Sequence, residues 1–196
     1  MFTGIVEAVG KVEKMSKEGS NITFEISSPI SKELKVDQSV SHNGVCLTVT
    51  QCDTNKHSIT AIDETLKRSN LGTLSPGGIV NLERCMKADG RFDGHIVQGH
   101  VDTVATVAHI DKKDGSTEYQ FQFENIGEVM VDKGSITVNG VSLTCFETTD
   151  ISFKVAIIPF TSDHTNFGRL TIGDQVNLEF DILGKYMRKL LAKQSG

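Results

Sequence analysis

The chain repeats itself, and nothing else in it restricts the fold as much. "SVSHNGVCLTVT" at 39–50 returns as "SITVNGVSLTCF" at 135–146, with six of twelve positions identical. The offset, read from the Asn of each Asn-Gly, is 139 − 43 = 96. The same offset aligns "TLKRSNLGTLSPGGIVNLE" (65–83) with "TSDHTNFGRLTIGDQVNLE" (161–179), where nine of nineteen match. Composition alone predicts roughly one identity over that length. Two Gly-x-x-acid segments, Gly4 to Glu7 and Gly99 to Asp102, lie 99 − 4 = 95 apart, so one residue was gained or lost between blocks. The folding unit is therefore about 85 residues long and present twice. Two copies are too few for a stacked solenoid. Two small domains, or one fused pseudo-symmetric pair, are expected over 1–88 and 95–181, with the polar "MKADGRFDG" (86–94) as linker.

Within each copy the patterns are those of strands. "NITFEISS" and "YQFQFEN" alternate apolar and polar residues. "SVSHNGVCLTVTQC" sets Val45, Leu47 and Val49 on one face and Cys46, Thr48 and Thr50 on the other, and "ISFKVAII" alternates likewise. Asn43-Gly44 and Asn139-Gly140 are strong hairpin signals. Five to seven short strands per copy favour a small closed barrel, because closure removes exposed edges. Short helical pieces are expected at 29–34 and 126–131, and a turn of helix ending at the Gly in "SNLGTL" and "TNFGRL". The fold class is thus all-β, with two homologous barrels in tandem plus a C-terminal α-helix.

That helix, expected over 182–196, has no counterpart in the first copy. Ile182, Leu183, Tyr186, Met187, Leu190 and Leu191 recur at helical spacing. Asp181 can cap its start and the lysines suit its end, while Gly184 costs about 1 kcal/mol relative to Ala. So apolar a stripe either packs on its own barrels or meets other subunits, and the second is expected, since the barrels are complete without it.

Composition excludes several classes. The net charge is −5 and the basic residues are scattered apart from Lys185, Arg188, Lys189 and Lys193, so no nucleic-acid partner is expected. No apolar run approaches the ~20 residues that span a bilayer, so no membrane is expected, and the N-terminus does not read as a signal peptide. Cys46, Cys52, Cys85 and Cys145 form no Cys-x-x-Cys pair, which points to reduced thiols in a cytoplasmic protein. Dinucleotide, Walker, zincin and nucleophile-elbow motifs are missing. His95 and His100 lie five apart, on opposite faces if in a strand, so no metal site is expected.

Chemistry is best sought where matched positions differ. Cys46 aligns with Ser142, Ile5 with His100 and Cys85 with Asp181, while Thr48 and Thr144 agree. Each copy thus carries a polar strand face that needs a partner. One account is hydrogen bonding within the barrels; another is two similar sites for two similar molecules.

"MFTGIVE", "NGVCLTV", "GHIVQGHVD", "KGSITVNGVSLT" and "TNFGRLTIGDQVNLEFD", in order and in both halves, closely resemble the riboflavin synthase family, alpha-chain type. The resemblance runs from Met1 to about Asp181. It implies six-stranded Greek-key barrels, a homotrimer joined through the C-terminal helices, and a site between the first barrel of one subunit and the second barrel of the next. It implies dismutation of two 6,7-dimethyl-8-ribityllumazine molecules to riboflavin and 5-amino-6-ribitylaminouracil, without cofactor or metal. Association with lumazine synthase is a further expectation.

By family motif, Gly4, Ile5, Val6, Cys46, Leu47 and Thr48 line the first pocket. The strand end Thr60, Ala61, Ile62, Asp63, Glu64 and Thr65 continues it, Glu64 and Thr65 meeting the ribityl chain. Gly99, His100, Val101, Lys133, Ser142, Leu143 and Thr144 line the second, with Ile158, Pro159, Phe160, Thr161, Ser162 and Asp163. Phe2 closes over the site, and Cys46, His100, Ser142, Thr144 and Asp181 are the candidates for acid–base and priming roles. Ser162-Asp163 departs from the more usual Leu-Glu, and Val45 stands where many relatives carry a second Cys. A rival reading is a non-catalytic lumazine- or flavin-binding optical protein with the same barrels.

Overall fold

The computed structural model describes residues 1–194. Strands β1 (Ala8–Glu18), β2 (Asn21–Ser27), β3 (Ser39–His42), β4 (Val45–Cys52), β5 (Lys56–Ala61) and β6 (Ile79–Arg84) close into one antiparallel barrel. Strands β7 (Thr103–Lys113), β8 (Ser116–Phe123), β9 (Ser135–Val138), β10 (Val141–Phe146), β11 (Ser152–Ile157) and β12 (Gln175–Phe180) close into the second. Neighbours run β1-β2-β5-β4-β3-β6 in the first and β7-β8-β11-β10-β9-β12 in the second, the same circuit twice. One β-bulge repeats as well, between Val12 and Lys14 and between Val107 and His109, while the shift between Val49 and Gln51 belongs to the first barrel. The alternation in β4 holds: Val45, Leu47 and Val49 are buried while Thr48 and Thr50 face outward.

Short helices α1 (Asp63–Arg68) and α2 (Pro159–His164) follow β5 and β11. Each leads into a 3-10 turn, Asn70–Thr73 or Asn166–Arg169, that runs one residue past its glycine. Residues 31–33 form a 3-10 turn, but 126–131 form no helix, contrary to the sequence pattern. There Val129 and Val131 stay exposed, so the segment lacks the buried stripe that would stabilise a helix. Helix α3 (Ile182–Gln194) is capped as expected, with Asp181 Oδ1 accepting from Leu183 N at 3.0 Å. The last two residues of the predicted 182–196 helix lie outside the described residues.

The barrels meet back to back at their hairpin tips. A Cβ on Gly44 would stand 2.8 Å from Gly140 N, and one on Gly140 would stand 2.8 Å from Gly44 N. Around this contact six buried asparagines bridge the copies. Asn70 N donates to Asn177 Oδ1 (2.6 Å) and Asn166 N to Asn81 Oδ1 (2.7 Å). Asn81 Nδ2 and Asn177 Nδ2 donate across to the carbonyls of Asn139 (2.9 Å) and Asn43 (2.8 Å). Buried amides are stable there because nearly all their hydrogen-bonding capacity is met; Asn70 Oδ1 has no partner among the described residues.

The lead-in segments 1–7 and 94–102 are exchanged. They pair with one another through Phe2 N to Val97 O (2.7 Å) and Val97 N to Phe2 O (3.1 Å). Ser142 N of the second barrel donates to Gly4 O, and Cys46 N of the first donates to Gly99 O, both at 2.8 Å. Val6 accordingly packs on the second core and Val101 on the first.

Candidate active site

Two outward-facing rows of side chains run across the barrels where the leads cover them. Cys46 (β4) pairs in register with Ser41 (β3), and Ser41 with Glu83 (β6). The second copy lines up Ser142 (β10), Thr137 (β9) and Glu179 (β12). Although they sit outside the barrel cores, Ser41, Thr137, Glu83 and Glu179 are at most 5% exposed, because the leads lie over them.

Each carboxylate grips its own lead by backbone N–H groups. Glu83 Oε1 accepts from Thr3 N (2.7 Å) and Oε2 from Gly4 N (3.0 Å). Glu179 Oε1 accepts from Gln98 N (2.6 Å), while Oε2 accepts from Gly99 N (2.9 Å) and His100 N (3.0 Å). Burial raises the carboxyl pKa of Glu83 to about 6 and of Glu179 to about 7, against the opposing pull of these donors. The close approach requires glycine: Gly4 and Gly99 have φ of +78° and +82°, and a Cβ on either would lie 2.6 Å from the Cβ of Ser142 or Cys46.

The two rows end in different chemistry. Ser142 Oγ lies 2.6 Å from His95 Nδ1, whose Nε2 lies 3.1 Å from Thr137 Oγ1. Burial lowers the His95 pKa while the nearby Asp181 carboxylate opposes the shift, so the imidazole is neutral near pH 7 and able to accept a proton from the Ser142 hydroxyl. Burial pushes the Cys46 thiol up, with Ser39 opposing, which keeps it protonated rather than a thiolate nucleophile.

The structure thus sets Ser142 against His95, with the Asp181 carboxylate near enough to act on that ring through its charge, and places His100 in the other lead, next to the Gly99 whose carbonyl accepts from Cys46 N. The expected grouping of Gly4, Ile5 and Val6 with Cys46, and of Gly99, His100 and Val101 with Ser142, is reversed by the exchanged leads. Phe2, fully buried between the leads, sits under Gly99 rather than closing over an open pocket.

Leu47 and Ala61 point into the first core, and Leu143 packs against the second. Thr60 Oγ1 lies 2.9 Å from Thr23 Oγ1. Asp63, Glu64 and Thr65 belong to helix α1 rather than to a strand end, Ile62 preceding it; Asp63 and Glu64 pair with Lys67 and Arg68 one turn on. Pro159, Phe160, Thr161, Ser162 and Asp163 form the matching helix α2 after the exposed Ile158, with Pro159 starting it. Phe160 stacks on His164 at 4.1 Å. Thr144 is exposed, and Lys133, at φ +66°, holds its ammonium 5.5 Å over the Phe146 ring.

Thr137, Ser41, Glu83 and Glu179 are not singled out by the sequence, and His95 enters there only as half of a rejected metal pair. The rejection of that pair takes His95 and His100 as strand residues, yet they lie in an irregular lead. The two glutamates end the repeated "VNLE", where identity between copies reads as scaffold.

Comparison with known proteins fits this duplicated geometry. The lumazine binding domain family matches residues 3–85 and again 98–181. Riboflavin synthase of Actinobacillus pleuropneumoniae is 43% identical over 196 residues, covering 99% of this chain and 91% of that protein. The chain belongs to the riboflavin synthase family. The Bacillus subtilis riboflavin synthase is 42% identical over 98% of this chain and 91% of its own length. Among solved structures, LumP complexed with 6,7-dimethyl-8-(1'-D-ribityl) lumazine superposes with a TM-score of 0.84 at 26% identity, covering 92% of this chain and 99% of LumP. LumP with riboflavin gives 0.84 at 27% identity, over 91% and 98%. No helix among the described residues is long and apolar enough to cross a membrane.

Proposed function

We propose that this chain is a riboflavin synthase, a transferase that converts two molecules of 6,7-dimethyl-8-ribityllumazine into riboflavin and 5-amino-6-ribitylaminouracil by moving a four-carbon unit. The observation that carries the reading is that both copies keep a complete polar row under a glycine lead, one ending in Cys46 and the other in Ser142. Two identical substrates with opposite roles need two similar but unequal sites. Holding them together makes a bimolecular reaction effectively unimolecular, worth about 7–11 kcal/mol.

The acceptor ring must lose a proton from its 7-methyl group, giving a carbanion delocalised into the ring. The donor must be primed at C7 by water or a hydroxyl. Neutral His95 beside Ser142 supplies a base and a hydroxyl within 2.6 Å of one another. Cys46, His100, Thr144 and Asp181 complete the candidate acid–base set, and Gly4, Gly99, Lys133 and the starts of α1 and α2 the candidate binding surface. The chemistry asks for no cofactor.

Leu183, Tyr186, Met187 and Leu190 of α3 are each at least 60% exposed in the single chain. That face supports a homotrimer, with the reacting pair of sites formed between the first barrel of one subunit and the second barrel of the next. Deleting 184–196 should leave folded monomers that bind ligand but turn over far more slowly; a truncated protein that sediments as a trimer would remove the helix from the interface. A cytoplasmic location, and association with lumazine synthase, fit the same role.

The similarity to LumP favours one other reading, a ligand-binding protein without turnover. Purified protein given 6,7-dimethyl-8-ribityllumazine and no added metal should generate riboflavin fluorescence; tight binding with no product would support the rival.

A further inference from the structure

We propose that Glu83 and Glu179 are positioning residues that act across the repeat, so that the carboxylate of each barrel sets the reactive strand of the other. Glu179 stands on the second barrel, in the row that ends at Ser142. Its three backbone partners, Gln98, Gly99 and His100, belong to the lead whose Gly99 carbonyl receives Cys46 N of the first barrel. Glu83 stands on the first barrel, in the row that ends at Cys46. Its partners Thr3 and Gly4 belong to the lead whose Gly4 carbonyl receives Ser142 N of the second.

The leads have little else to fix them at these points. Beyond the Phe2–Val97 bridge they are joined to each other by His95 N to Thr3 O (3.1 Å), and they return to their own barrels at Met86 N to Met1 O (3.0 Å), at Glu7 N to Leu82 O and Asp102 N to Leu178 O (both 2.9 Å), and at Phe180 N to Asp102 Oδ2 (2.9 Å). Between bridge and return, the carboxylate forks hold the backbone. A carboxylate is suited to this because it only accepts, and successive N–H groups offer it nothing but donors. A glutamine would turn its own N–H toward a backbone N–H, leaving a buried donor unpaired and the lead displaced.

A bystander role makes the opposite prediction. Glu179 shares a row with Thr137 and Ser142, so local damage from its loss would reach Ser142 first; its hydrogen-bonded route to Cys46 runs through the lead, while its charge also acts on the thiol across space, an effect that the charge-keeping Glu179→Asp leaves in place. The catalytic consequence rests on the riboflavin synthase reading, but the crossed wiring does not, and the experiment separates them.

Amide hydrogen exchange should be measured by NMR in the full-length protein and in Glu179→Gln and Glu83→Gln, with Phe24 and Phe121 amides reporting global opening. Glu179→Gln is expected to speed exchange at Cys46 N at least tenfold with Ser142 N unchanged, and Glu83→Gln the reverse. Each variant should also weaken one of two riboflavin sites per chain at least tenfold and lower kcat at least tenfold. Glu179→Asp and Glu83→Asp, which keep the charge but draw it back by one methylene, should give the same crossed pattern at smaller amplitude if the glutamine variants fail to fold. Same-barrel acceleration, equal acceleration of both amides, or none would overturn the proposal. A crossed pattern in a protein without turnover would keep the wiring and remove the enzyme.

Discussion

The two barrels share one circuit and bury opposite kinds of core. The second is aromatic: Tyr119, Phe121, Phe123, Phe153, Phe167 and Phe180 are all buried, and Tyr119 meets Phe167 edge-on at 5.4 Å. The first is mainly aliphatic, with Phe24 as its one aromatic hydrocarbon ring in the buried cluster, and it buries two histidines. At the 96-residue offset His42 matches Val138 and His57 matches Phe153. Their Nε2 atoms are 2.9 Å apart; His42 Nδ1 lies 3.1 Å from Val40 O, and His57 Nδ1 lies 2.9 Å from Ser31 Oγ, which lies 2.9 Å from Ser28 Oγ. One assignment of protons satisfies this chain: Ser28 donates to Ser31, Ser31 to His57, His57 to His42 and His42 to the Val40 carbonyl. It requires both rings to be neutral. The same fold thus tolerates either a hydrocarbon pair or a relayed polar pair at one place, provided every nitrogen is partnered.

The largest effect should come from the leads, which differ in one anchor: Phe2 in one, Val97 in the other. Phe2→Ala should cost about 3–5 kcal/mol in chemical denaturation, as full truncation of a buried ring does. It should also abolish turnover, because both leads lose their mutual support. Val97→Ala should cost less, in proportion to its smaller side chain; equal losses would show that the ring itself does not matter.

The histidine pair comes next. Burial lowers His42 to about 3 and His57 to about 4, from 6.5. The unfolded chain therefore binds more protons below pH 6.5, and stability is complete above that value and lost as pH falls toward 4. The slope is about 1.4 kcal/mol per pH unit for each ring. Thermal melts at pH 4.5 and 7 should differ much less in the double variant His42→Val/His57→Phe, which copies the second barrel. An unchanged acid profile would acquit the pair.

Removing His95 with His95→Phe should lower kcat with little change in KM, by about 10²-fold if it serves as a base. It should also flatten the acid limb of the kcat profile. Its asymmetry with the thiol row, where no imidazole is hydrogen-bonded to Cys46 among the described residues, predicts a smaller effect from Cys46→Ser; the opposite order would exchange the roles assigned to the two rows.

The smallest effect concerns the helix that only the second barrel carries. Lys185 Nζ sits 2.6 Å from Asp102 Oδ2, with side chains 17% and 19% exposed, and ties α3 to the lead's return. Lys185→Met should cost about 1 kcal/mol. The more exposed Arg84–Glu33 pair of the first barrel, contacted at 2.7 Å, should cost less when broken.

Much of this was legible beforehand. The Asn-Gly tips, the inward Val45, Leu47 and Val49, and the Asp181 cap follow from local rules of turn, pleat and helix end. The helices at Asp63 and Pro159 did not, because six residues give no period to read. Neither did the burial of Glu83 and Glu179, since a glutamate at a strand end normally faces water.

What the sequence by itself determined is the doubling: identity at a constant offset can only mean one unit folded twice, and alternation within it dictates strands closed on a core. Which half each lead serves was decided by the tertiary structure alone. A lead of a few residues has no periodicity, and its place is set by backbone groups seeking partners, glycines allowing close approach, and carboxylates whose burial only the assembled pair of barrels creates.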